Sequence, residues 1–138
     1  HIEWAINNLI HNAIKYSFSG NADRIRFVEI LGRNEQDYYV FSVSNYGIGI
    51  KKDEIEKRLI FKDGYQGELT HGENRTGSGK GLTFVKRVID RHKGKIHVDS
   101  KLVGELSELK TAQPYLNIIT IFLPYKQIIG ESRNDEKE

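Results

Sequence analysis

IEWAINNLIHNAIKYSFS, residues 2–19, repeats its apolar residues at helical period. Ile2, Ile6, Leu9, Ile10, Ala13 and Ile14 fall on one stripe, which predicts a helix packed against a sheet. Asn8, Asn12 and Lys15 fall together on the opposite side, at i, i+4 and i+7. Asn is a mediocre helix former that usually serves caps and turns, so two inside one helix need a reason. The amide oxygen of Asn12 is a hard, neutral ligand of the kind Mg²⁺ accepts beside phosphate oxygens and waters. Lys15, one turn on, carries a point charge suited to the same phosphates. Taken alone, the stretch reads more simply as a surface helix whose polar face holds two Asn and a Lys.

The chain has 138 residues, a length that fits one domain with a single core. Its 21 basic and 19 acidic residues nearly cancel, and no dense Lys/Arg cluster marks a nucleic-acid footprint. With no Cys, disulfides, thiolate zinc sites and cysteine nucleophiles are excluded. No apolar run approaches a membrane span and no secretory pattern is seen, so a cytoplasmic domain without direct membrane contact is expected. The sequence opens directly on a helix pattern with no approach strand or cap, as expected of a piece of a longer protein.

Beyond the helix, RIRFVEILG (24–32) and YYVFSVS (38–44) read as strands around a turn at 34–37. Residues 51–59 read as a short charged helix, and from 60 to 79 periodicity is lost. That loop of about twenty residues exceeds the usual ~12–15, which predicts a functional lid, mobile between Gly64 and Gly79. A helix is predicted over 80–92, with Leu82, Val85, Val88 and Ile89 as its apolar stripe and Gly94 as its stop. Strands follow at 95–100 and 115–123, and the polar tail, 126–138, is expected to be disordered. Helices collected on one face of hairpin-paired strands make this an α+β, two-layer sandwich.

Two glycine clusters punctuate this plan. Asn45-Tyr-Gly-Ile-Gly-Ile50 leaves what should be a central strand, where Gly47 and Gly49 let backbone come close to a flat ligand. Gly77-Ser-Gly-Lys-Gly-Leu82 runs into a helix whose N-terminus makes an anion site. The second is neither a P-loop nor a dinucleotide fingerprint, and each cluster alone also reads as an ordinary turn.

Taken with Asn8, Asn12 and Lys15, the ordered set is specific. NNLIHNAIKYS, NYGIGI and GSGKGL resemble the N box and two glycine boxes of the ATP-binding catalytic domain of sensor histidine kinases, in the GHKL superfamily. Ile60, Phe61 and Tyr65 resemble its F box, and KGKIHVDS with ITIFLP its closing strands. The resemblance covers residues 2–124. It implies a Bergerat-type fold, helices on a mixed β-sheet, with residues 1–125 as the ATP-binding unit.

Residue by residue, the resemblance implies that Asn12 holds Mg²⁺, with Asn8 beside it near the phosphates of ATP. Lys15 would contact phosphate and Tyr16 would line the nucleotide. Asn45, Gly47, Gly49 and Ile50 would lie at adenine, while Gly77, Ser78, Gly79, Lys80, Gly81 and Leu82 would wrap the phosphates. Arg75 is a candidate for the γ-phosphate. Two positions depart from the family. Asn45 stands where an Asp usually accepts from the adenine amino group, and Gln66 follows Tyr65 where an Arg is common.

GHKL members that hydrolyse ATP carry a Glu one turn before the metal-binding Asn, to polarise water. Here that position is Asn8, which cannot act as a base. The expected function is therefore that of a protein-histidine kinase catalytic domain in two-component signal transduction. It would position ATP for transfer to a histidine on an upstream dimerisation domain, and through that domain serve a response regulator. The isolated unit is expected to be monomeric and the full-length protein a homodimer. The alternative, sustained by Asn45, is a degenerate nucleotide-binding regulatory module. His1, His11, His71, His92 and His97 show no metal spacing; a surface role is expected of His11, and His92 is expected to meet carbonyls at a helix end.

Overall fold

The computed structural model describes residues 1–17, 28–70, 81–103 and 115–125. The first helix, α1, spans Ile2–Tyr16 and ends three residues before residue 19. Ser17 stops it: its backbone is extended and its hydroxyl donates to the Ala13 carbonyl at 2.5 Å. The buried line is Ala5, Leu9 and Ala13, at i, i+4 and i+8. Ile14, expected in the stripe, lies about 100° around the helix from Ala13 and is half exposed.

Strand β1 (Val28–Glu35) turns through Gln36 and Asp37 into β2 (Tyr38–Gly47). Both strands run three residues beyond their expected ends, to Glu35 and Gly47, because the ladders continue. Glu35 pairs with Tyr38 across the turn, and Gly47 pairs with Tyr115. Helix α2 (Lys52–Glu56) is shorter than expected, and Leu59–Phe61 forms a 3₁₀ turn after Arg58 takes a left-handed φ of 57°. Helix α3 (Gly81–Arg91) leads to β3 (Lys95–Leu102) and β4 (Tyr115–Pro124).

The strand order is β1-β2-β4-β3, and every described pairing is antiparallel where the resemblance implied a mixed sheet. The two-layer α+β arrangement is as expected. β2 is central. Leu9 and Ala5 of α1 meet Val85, Val88 and Ile89 of α3 over Val43, Ile121 and Leu123 of the sheet. Fully burying one such Leu, Ile or Val contributes ~1.5–3 kcal/mol. At the outer edge of the helical pair, Trp4 packs edge-on against Phe84, ring centroids 3.9 Å apart.

Alternation along β2 puts Phe41, Val43 and Asn45 on the helix-facing side and Ser44 on the other. The end of α3 is closed by the Gly94 N–H donating to the Ile89 carbonyl at 2.9 Å, with Lys93 as the left-handed residue. His92 Nδ1 donates to the Val88 carbonyl at 2.8 Å, the helix-end role expected of it. No described helix is long and apolar enough to cross a membrane.

Candidate functional site

A cavity of about 350 Å³ lies between α1 and the ends of β2 and β4. α1 contributes Asn8, Asn12, Lys15 and Tyr16, one face of the helix, because positions four and seven apart return to the same azimuth. β2 contributes Val43 and Asn45, and β4 contributes Ile119 and Asn117. Gly49 and Ile50 close one side, and Gly81 and Leu82 at the start of α3 another. Of the expected site residues that are described, all but Gly47 line this space. Arg75, Gly77, Ser78, Gly79 and Lys80 lie outside the described residues, as do residues 71–79 of the expected lid and the tail, 126–138.

The two glycines of the first cluster have a reason of their own. A Cβ on Gly47 would sit 2.0 Å from the Tyr16 carbonyl oxygen, and one on Gly49 would sit 2.2 Å from the Tyr115 ring. Neither fits. The space at Gly47 is thus taken by the last turn of α1, whose Tyr16 carbonyl accepts the Ile48 N–H at 3.1 Å. This contact fixes the height of α1 above the sheet, and with it the depth of the cavity.

A hydrogen-bond relay holds the turn after β2. The Ile50 N–H donates to Ser100 Oγ at 3.0 Å, and Ser100 donates to Asn117 Oδ1 at 2.6 Å. Asn117 Nδ2 donates in turn to the Ile48 carbonyl at 2.8 Å. Neither Ser100 nor Asn117 was expected from sequence. Asn117 did leave a signal, as a lone amide inside the apolar strand YLNIITIFL, where Asn is depleted.

Beneath α2 lies a carboxylate with no solvent exposure, Glu54. Its Oε2 accepts the Lys51 N–H at 2.9 Å. Its Oε1 accepts the Tyr65 hydroxyl at 2.5 Å and the Glu68 N–H at 2.8 Å. The hydrogen bond to Glu54, helped by desolvation, pushes the Tyr65 phenol up to about 12. Glu68 also pairs with Lys51, and this carboxylate holds the lysine above its usual range. Tyr65, Gln66 and Gly67 line the cavity, so Glu54 sets one of its walls. The start of the expected lid is therefore anchored: Ile60 is buried and residues 65–68 are tied to α2.

On α1, Asn8 Nδ2 donates to the Trp4 carbonyl at 3.0 Å, and Lys15 Nζ lies 5.3 Å from the Tyr16 ring centroid. Asn12 faces the first residue of α3, its Nδ2 3.2 Å from where a Gly81 Cβ would stand. His11, expected at the surface, is exposed and also reaches the cavity rim. Among the described lining residues there is no Asp or Glu. The buried Nδ2 of Asn45 has no hydrogen-bond partner among the described residues. Apolar walls, an amide nitrogen at depth without a partner among the described residues, and an amide and an ammonium on one face of α1 suit a ligand with a polar-edged ring and an anionic end.

The sequence matches the family described as histidine kinase-, DNA gyrase B-, and HSP90-like ATPase over residues 1–127. It is 32% identical over 114 residues to the sensor histidine kinase WalK of Bacillus subtilis (strain 168), covering 83% of this chain and 18% of that protein. It is 33% identical over 102 residues to the sensor protein RprX of Bacteroides fragilis (strain YCH46), covering 74% and 19%. Against the autoinducer 2 sensor kinase/phosphatase LuxQ of Vibrio vulnificus (strain YJ016) it is 35% identical over 95 residues, covering 69% and 11%. The chain thus spans no more than about a fifth of the length of these relatives. Solved structures of similar fold include a mycobacterial sensor histidine kinase, MprB, and the catalytic domain of histidine kinase ThkA. Both have TM-scores of 0.62, at 23% and 22% identity. They cover 88% and 90% of this chain, and the match covers 72% and 66% of theirs.

Proposed function

The chain belongs to the family of histidine kinase-, DNA gyrase B- and HSP90-like ATPases, and from that premise we propose that it holds Mg·ATP and presents the γ-phosphate to a histidine carried elsewhere in a longer protein. In this reading residues 1–125 are the ATP-binding unit of a histidine kinase in two-component signalling. The acceptor would sit on a separate dimerisation domain, through which a response regulator is served.

The observation that carries the proposal is the polar face of α1 at the cavity, Asn8, Asn12 and Lys15, with no carboxylate among the described lining residues. Asn12 would hold Mg²⁺ through its amide oxygen, a neutral hard ligand. The ion, when bound, supplies positive charge at the phosphates. Lys15 would add its own charge there, and Tyr16 would flank the nucleotide. Asn45, on the same strand face as Val43, would meet the edge of the base. Ile50, held by Ser100, and the Gly81–Leu82 start of α3 would close around it. Residues Arg75, Gly77, Ser78, Gly79 and Lys80 are proposed to complete the phosphate side.

Asn8 has its amide nitrogen committed to the Trp4 carbonyl and cannot take a proton from water. The catalytic contribution would then be positioning and charge, with the nucleophile brought by another domain. Calorimetry with Mg·ADP and a phosphate-release assay on this chain test the proposal. Binding without steady turnover is expected. Steady hydrolysis that survives Asn8→Ala and needs no second domain would overturn it. The reading as a degenerate nucleotide-binding module draws only on Asn45, and unchanged or weaker ADP binding by Asn45→Asp would turn the balance toward it.

A further inference from the structure

Asn45 and Asn117 face each other across the β2–β4 ladder, both buried and both at the cavity. Their amides are held very differently. Asn117 is locked, its oxygen accepting from Ser100 and its nitrogen donating to the Ile48 carbonyl. A half-turn of that amide would set its oxygen against the Ile48 carbonyl oxygen and lose the hydrogen bond that Nδ2 makes there. Asn45 is only 6% exposed, and its Nδ2 has no partner among the described residues. Among the described residues no hydrogen bond from Nδ2 holds this amide in one of its two orientations, so the same side chain can offer either its oxygen or its NH₂. A buried donor left without an acceptor is costly, and Nδ2 now lies against Gly47, so a half-turn that brings it to the place of Oδ1 lets a ligand supply the acceptor.

We propose that this site does not select 6-amino over 6-oxo purines, and that it takes inosine-type nucleotides about as well as adenosine nucleotides. This rests on the nucleotide reading above, with Asn45 at the base edge. Adenine presents an N6–H₂ donor beside an N1 acceptor, whereas hypoxanthine presents an O6 acceptor beside an N1–H donor. A carboxylate at position 45 would only accept, and its charge would repel O6. The amide of Asn45 accepts from N6–H₂ in one orientation and donates to O6 after a half-turn. Asn117 cannot substitute for it, because both of its ends are engaged.

The test is calorimetric titration of this chain with Mg·ADP, Mg·IDP and the magnesium complex of purine riboside diphosphate, which has only hydrogen at C6. ADP and IDP are expected within about threefold of each other, and both tighter than the 6-unsubstituted analogue by roughly fivefold or more. Asn45→Asp should restore a preference for ADP of about tenfold. A preference of tenfold or more for ADP by the unaltered chain would overturn the inference while leaving nucleotide binding intact. Equal binding of all three would also overturn it, since Asn45 would then not read position 6. Binding of none would overturn the nucleotide reading itself. All three of these outcomes are read from the unaltered chain, so they hold even where the variant does not fold.

Discussion

The hydroxyl of Tyr65 donates to Glu54 Oε1 at 2.5 Å, joining the segment that walls the cavity to a carboxylate buried under α2. The same carboxylate takes the N–H groups of Lys51 and Glu68, so three donors converge on one side chain.

Replacing Glu54 should therefore cost more than its place in a five-residue helix suggests. Glu54→Ala strands a phenol and two backbone donors, each worth about 1–3 kcal/mol if left unsatisfied. We expect Glu54→Ala to lower unfolding free energy by at least ~2 kcal/mol, and Glu54→Gln, which keeps an acceptor, by less. Urea denaturation of the three proteins measures this. Equal midpoints would show that water reaches the site and satisfies the donors.

Tyr65 should titrate late, as should Tyr125, whose phenol burial also pushes upward. The hydrogen bond to Glu54 pushes the Tyr65 phenol from the ordinary 10.0 up to about 12. A raised folded value favours the neutral phenol, so the contribution to stability is complete below pH 10 and is lost as pH rises from there towards about 12. Difference absorption between the native chain and Tyr65→Phe should show one phenolate forming late, and Glu54→Gln should bring it earlier. A late transition of undiminished amplitude in Tyr65→Phe would assign it to another residue, such as Tyr125.

Gly47→Ala and Gly32→Ala make a matched pair. At Gly47 a methyl group meets the Tyr16 carbonyl at 2.0 Å, backbone against backbone. At Gly32 it meets nothing within 4 Å. The first should destabilise by about 1–3 kcal/mol or more, and the second should stay within roughly 0.5 kcal/mol. Thermal melts distinguish them. A tolerated Gly47→Ala would mean that α1 can lift off the sheet without loss.

Asn12→Ala should remove the magnesium dependence of nucleotide binding, and Lys15→Ala should weaken binding with or without the ion. Hydrogen bonds to charged groups contribute about 1.5–3 kcal/mol, so each loss should be on the order of tenfold or more in affinity. Titration with ADP in magnesium and in chelator separates the two effects. An Asn12→Ala protein with full magnesium dependence would place the ion on other ligands.

The polar face of α1 was legible because helical period alone brings Asn8, Asn12 and Lys15 together, and the cavity lies on that face. Position 14 misled because apolar character was counted around the whole turn, while the contact line runs through Ala5, Leu9 and Ala13. Ser100 and Asn117 were not legible as a pair, since their partners lie 50 and 69 positions away in sequence. Glu54 was hidden for the same reason. It sits in a charged stretch that looks solvated, and only the return of Tyr65 and Glu68 over it shows that it is buried. The loop expected from residue 60 is tied down at its start by those same contacts.

The edge-on packing of Trp4 against Phe84 gives the molecule a built-in optical probe. The chain has a single tryptophan, so its fluorescence has one source. That indole sits on the helix that carries Asn12, and the carbonyl of the same residue is bonded to Asn8. Its aromatic neighbour stands on the helix that begins at Gly81, against the amide of Asn12. Any change in how α3 seats on α1 must alter the surroundings of this one chromophore. The occupancy of the cavity could thus be followed by emission from the unlabelled protein.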